Sequence, residues 1–70
     1  MQSEIVIYYD YEPAIGVNAT CLDWPHRNEY FRSWGEFSAY CSIEYGSSFR
    51  LVEITAENYP VLCAEGIFNV

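Results

Sequence analysis

The chain owns a single histidine, His26, so any Cys–His or Ser–His nucleophilic scheme must run through it. Cys21 precedes it across an expected turn, with Asp23 between them. On paper that supplies a nucleophile, a base and an orienting acid. Neither residue stands in a hydrolase-type motif, however, and a core this small leaves little room for a dry, shaped site. No catalytic residue and no enzymatic activity are therefore expected. Cys21, Cys41, Cys63 and His26 also make a formal Cys₃His set. Zinc fingers and ribbons anchor their loops with at least one close cysteine pair, and none occurs here. Buried free thiols acting as small hydrophobes are the simpler reading, so no metal or other cofactor is expected.

Asp10 and Glu12 are two apart in an extended segment and would share a face, the arrangement paired-carboxylate chemistry needs. Solvated surface acids account for them more simply. Gly16, Gly35, Gly46 and Gly66 are too scattered to build a phosphate-cradling loop.

Charge is the most unusual bulk property. Ten acids face three bases, giving a net charge of −7, and all three bases are arginines: Arg27, Arg32 and Arg50. Lysine is absent. Direct binding to nucleic acid is disfavoured, because phosphate contacts require clustered Lys and Arg. An anionic membrane surface is disfavoured for the same reason. A protein with a basic surface is the complementary partner.

Acids alone do not make a nucleic-acid mimic. A domain of this length spans roughly 28 Å, from a radius of gyration of about 11 Å. Duplex DNA of that length carries on the order of 16 charges. The ten acids, from Glu4 to Glu65, form no acidic run, so any clustering must come from the fold.

Seven tyrosines are too many for a thin core to hide. Tyr and Trp are enriched where truncation at an interface costs roughly 2 kcal/mol or more. The run Tyr8-Tyr9-Asp10-Tyr11-Glu12 joins such anchors to two acids and is the first expected contact segment. The expected partner-binding set is Tyr8, Asp10, Tyr11, Glu12, Glu29, Tyr30, Glu36, Glu44 and Glu57.

These residues must be positioned by one domain covering residues 1–70, since the length has room for no more. With 51% hydrophobic and 19% aromatic residues, the chain is composed to fold. Glu4–Tyr9 reads as a strand with Ile5, Ile7 and Tyr9 on one face, ended at Glu12-Pro13. Residues 15–22 read as a weaker strand, and 26–32 as a short helical turn after Asp23-Trp24-Pro25. Ser33-Trp34-Gly35-Glu36 fits a capping box, and Trp34, Phe37, Cys41 and Tyr45 then fall on one helical stripe ended by Gly46. The same segment also alternates from Phe37 to Tyr45 as a half-buried strand would, and the caps favour helix. Phe49–Ile54 reads as a strand, Thr55–Pro60 as a turn, and 61–63 and 67–70 as short extended pieces. The fold class is α+β: a small antiparallel sheet of three to five strands with one main helix on a face.

No stretch approaches the run of about 18 apolar residues that a membrane span needs. The N-terminus lacks the basic segment of a secretory signal, so a cytoplasmic protein is expected and the Asn18-Ala19-Thr20 sequon is a chance match. In size, acidity and lack of lysine the chain looks like the small inhibitors that phages and mobile elements direct at host defence systems, an analogy of bulk properties alone. The leading expectation is an inhibitor that occupies a basic, nucleic-acid-binding surface, as anti-CRISPR or anti-restriction proteins do. The alternative is a structural or adaptor module binding through tyrosine-rich or sheet-edge contacts, with a homodimer as one form it could take.

Overall fold

The structure, a computed structural model, describes residues 4–68. The β-branched and aromatic run forms strand β1, Ile5–Glu12, and Pro13 ends it by removing the next ladder donor. The Ile15 N–H donates to the Glu12 carbonyl at 2.9 Å and closes a tight turn into β2, Gly16–Thr20. A loop through Trp24 and Pro25 turns the chain back as β3, Asn28–Phe31. Helix α1 spans Trp34–Tyr45, β4 spans Phe49–Glu53, and a short helix α2 spans Tyr59–Ala64.

The four strands lie in the order β3-β2-β1-β4. β1 pairs antiparallel with β2, and β2 antiparallel with β3. β1 pairs parallel with β4. The α+β class and the single main helix agree with the sequence reading, while the sheet is mixed instead of wholly antiparallel. The reason is α1. It carries the chain from β3 at one edge to β4 at the other, and a parallel neighbour needs such a crossover.

Alternation along β1 sorts the two faces. Ile5, Ile7 and Tyr9 join Val17 and Ala19 of β2 beneath α1, as expected for that face. The core is Ile7, Val17, Ala19, Cys21, Trp24, Phe37 and Cys41. Phe37 is wholly buried and contacts the rings of Tyr9, Phe31 and Trp34. Ile43 is 80% exposed, which decides between the two readings of residues 37–45: the helical stripe is buried and the alternating one is not. Ser33 caps α1, its Oγ accepting from the Glu36 N–H at 3.1 Å. The Glu36 carboxylate pairs with Arg32.

Two local expectations are corrected. Residues 26–32 hold β3, not a helical turn, because the backbone of Asn28–Phe31 finds partners on β2. Residues 61–63 lie in α2, not an extended piece, since Pro60 sits in its first turn where a missing N–H costs nothing. Ile67 and Phe68 lie in a turn, and the remainder of the expected 67–70 piece falls outside the described residues.

Candidate functional site

Strand direction decides where the acids gather. β1 and β4 run the same way, with Tyr9 opposite Glu53. The C-terminal ends of both strands therefore share one end of the sheet, with Glu53 on the helix face beside Tyr9 and Asp10 and Glu12 on the opposite face. Glu57 stays at that end because its turn is tied down. The Thr55 N–H donates to Asn58 Oδ1 at 2.8 Å, the Asn58 N–H to Thr55 Oγ1 at 3.1 Å, and Asn58 Nδ2 to the Glu53 carbonyl at 2.8 Å. α1 starts at the same end, since Trp34 contacts Tyr9 and Tyr11, and this places Glu36 there.

Five of the ten acids, Asp10, Glu12, Glu36, Glu53 and Glu57, thus share one end, and all five are exposed. One arginine accompanies them: Arg32, at 2.9 Å from Glu36. Both partners are exposed, so the pair is worth under about 1 kcal/mol and leaves the local charge strongly negative. Burial and the Glu53 carboxylate push the Tyr9 phenol above its ordinary value, a local sign of that field. The opposite end is more balanced. Glu4 pairs with Arg50 at 3.4 Å, Asp23 and Arg27 occupy the loop after β2, and Glu44 lies in the last turn of α1, which Trp24 joins to that loop.

Aromatic anchors flank the acidic end on both faces. On the helix side, Tyr11 is 40% exposed with its ring centroid 5.4 Å from that of Trp34. On the other face, Asp10, Asn18 and Tyr30 form a row across β1, β2 and β3. Tyr30 is half exposed yet held. Its hydroxyl donates to the Ile15 carbonyl, and its ring lies over Gly16, where a Cβ would fall 2.8 Å from the hydroxyl. Gly16 also has φ +133°, so both the space and the backbone require glycine.

Of the expected set, Asp10, Tyr11, Glu12, Glu36 and Glu57 lie at this end, divided between its two faces, with Tyr30 in the same row as Asp10. Tyr8 is half-buried on the second face, opposite Thr20 and Val52. Glu29 and Glu44 lie elsewhere, both near enough to Tyr40 to help push its phenol up to about 12, after the larger effect of burial and of the Tyr45 hydroxyl. Glu53 and Trp34 were not foreseen. The parallel register that brings Glu53 beside β1 leaves no mark in the sequence.

Cys21 and His26, considered for nucleophilic chemistry, lie in the loop at the opposite end of the sheet. Cys21 and Cys41 are buried in the core, their thiols pushed up chiefly by burial, and Cys63 is exposed. His26 is exposed, and no hydrogen bond joins it to Cys21 among the described residues. Among the described residues no three His, Cys, Asp or Glu side chains converge as metal ligands. No helix among them is long and apolar enough to cross a membrane. Comparison with known protein families, with curated proteins and with solved structures returned no match to this chain.

Proposed function

We propose that this protein is a small inhibitor that seats its acidic end on a basic, nucleic-acid-binding surface of another protein. The observation that carries the reading is the convergence of Asp10, Glu12, Glu36, Glu53 and Glu57 at one end against Arg32 alone. Such an end steers encounter with a basic patch and disfavours acidic competitors. Tyr11 and Trp34 beside it supply the rigid apolar area that slows dissociation.

Magnitudes favour a local plug over replacement of a duplex. The longest dimension is 39 Å, and duplex DNA of that length carries about 23 charges. Five clustered carboxylates match only a few phosphates, enough for one patch of Lys and Arg. CRISPR effectors and restriction enzymes present patches of this kind, and a cytoplasmic site of action follows from that class of target. Binding of this sort needs no metal or cofactor.

The test is capture of basic proteins from host lysate on the immobilised chain, followed by elution with salt or with duplex DNA and RNA. Release by both is expected. Retention unaffected by either would sink the proposal.

A further inference from the structure

Among the described residues no strand pairs with the outer edge of β3, which offers a second contact whose chemistry follows from the ladder. The Cys21 N–H donates to the Arg27 carbonyl at 2.9 Å, which turns the backbone of Arg27 toward β2. Backbone groups alternate sides along a strand, so Glu29 and Phe31 also face β2, while Asn28 and Tyr30 face away. The Asn28 N–H is used locally, donating to the His26 carbonyl at 2.7 Å. That leaves the Asn28 carbonyl and both backbone groups of Tyr30 directed outward from the sheet.

Natural sheets shield such an edge by keeping it short, or with charged side chains, proline, a bulge or a covering element. β3 is four residues long and carries the charge of Glu29, but has no lysine, proline or bulge. Its outer-face side chains are drawn inward instead. Asn28 Oδ1 accepts from Thr20 Oγ1 at 2.7 Å, and the Tyr30 hydroxyl reaches back to Ile15. Neither covers the edge. On the helix side Glu29 stands exposed on the strand, and Glu44 of α1 is close enough to act with it on Tyr40.

We infer that the β3 edge pairs with an extended segment of the basic partner that presents Arg or Lys toward Glu29 and Glu44. Main-chain bonds to Tyr30 and Asn28 give this pairing its affinity and the two carboxylates select its charge. This inference rests on the proposed basic partner but names a different surface. A second copy of the chain is the poorer occupant because each copy carries a net charge of −7.

The probes are a synthetic peptide alternating Arg and Thr, and the same peptide with alternate amides N-methylated, added to isotope-labelled protein at low salt. Exchange of the Tyr30 amide with solvent should slow at least about tenfold with the first peptide. The methylated peptide should bind about tenfold more weakly, as loss of main-chain bonds requires. Glu29→Lys reverses an exposed charge whose carboxylate makes no hydrogen bond among the described residues, and should weaken the first peptide about fivefold. Equal binding of both peptides, with shifts at Asp10 to Glu12 only, would overturn edge pairing and leave the acidic-end proposal standing. No peptide binding by a protein that still captures its partner would also overturn it. So would Tyr30 protection that grows with protein concentration alone, since a second copy would then be the occupant.

Discussion

Trp24 donates its indole N–H to the Tyr45 hydroxyl at 2.6 Å, joining the loop before β3 to the last turn of α1. Trp24 is 6% exposed, so its N–H has little access to water if that partner is lost. Tyr45→Phe should therefore cost about 1–2 kcal/mol. For a domain of this size that lowers Tm by roughly 4–16 °C. Thermal unfolding followed by tryptophan fluorescence reads it, and an unchanged Tm would contradict the bond.

Gly16→Ala should cost about 2–3 kcal/mol, because the added Cβ meets the Phe31 carbonyl and the Tyr30 ring at a positive φ. Denaturant unfolding checks it. Gly46→Ala tests the backbone effect alone, since nothing lies within 4 Å of its Cβ position and only φ +63° opposes it. The Gly46 variant should lose less.

Ser33→Ala removes the oxygen that accepts from the Glu36 N–H and should cost about 1 kcal/mol. Ser33→Asp should restore most of it in the same denaturant measurement. A fully stable Ser33→Ala protein would mean that packing of Phe37 alone holds the helix start.

Alkaline pH should weaken the fold. Tyr40 is pushed up to about 12 by burial and its neighbours, against 10.0 in an exposed chain. The folded state thus holds this proton more tightly than the unfolded state. The resulting stabilisation is whole below about pH 10 and is lost as pH rises through about 12. Tyr9 shifts in the same direction. Ultraviolet phenolate titration of wild type against Tyr40→Phe should show one late-titrating group missing from the variant.

Thiol alkylation should separate the cysteines. Cys63 is exposed and should react quickly, while Cys21 and Cys41 are buried with raised thiols and should wait for unfolding. Rapid reaction of all three under native conditions would contradict the burial of Cys21 and Cys41 between the sheet and α1.

How far the fold was legible depended on how many sides of each element pack. β1 and α1 bury definite stripes, so period two in Ile5, Ile7 and Tyr9 and the helical spacing of Phe37 and Cys41 stand out in the sequence. β3 buries almost nothing beyond part of Phe31, and an edge strand with no buried face writes no alternation. Pro60 reads as a breaker in the sequence, whereas in the structure it sits in the first turn of α2, where a missing N–H costs nothing. The candidate site was half legible. Asp10, Tyr11 and Glu12 are adjacent in sequence, but Glu53 and Glu57 join them only through the parallel register of β4 on β1. No local pattern encodes that pairing, because it follows from where α1 delivers the chain.

The most direct test compares two variants with carboxylates replaced by amides in the capture experiment. One carries Asp10→Asn, Glu12→Gln, Glu53→Gln and Glu57→Gln at the acidic end, and the other carries Glu4→Gln and Asp23→Asn at the opposite end. The first should lose the captured basic protein and the inhibition that accompanies it, and the second should retain both. Equal loss in the two variants, or retention in the first, would contradict an acidic end as the binding surface.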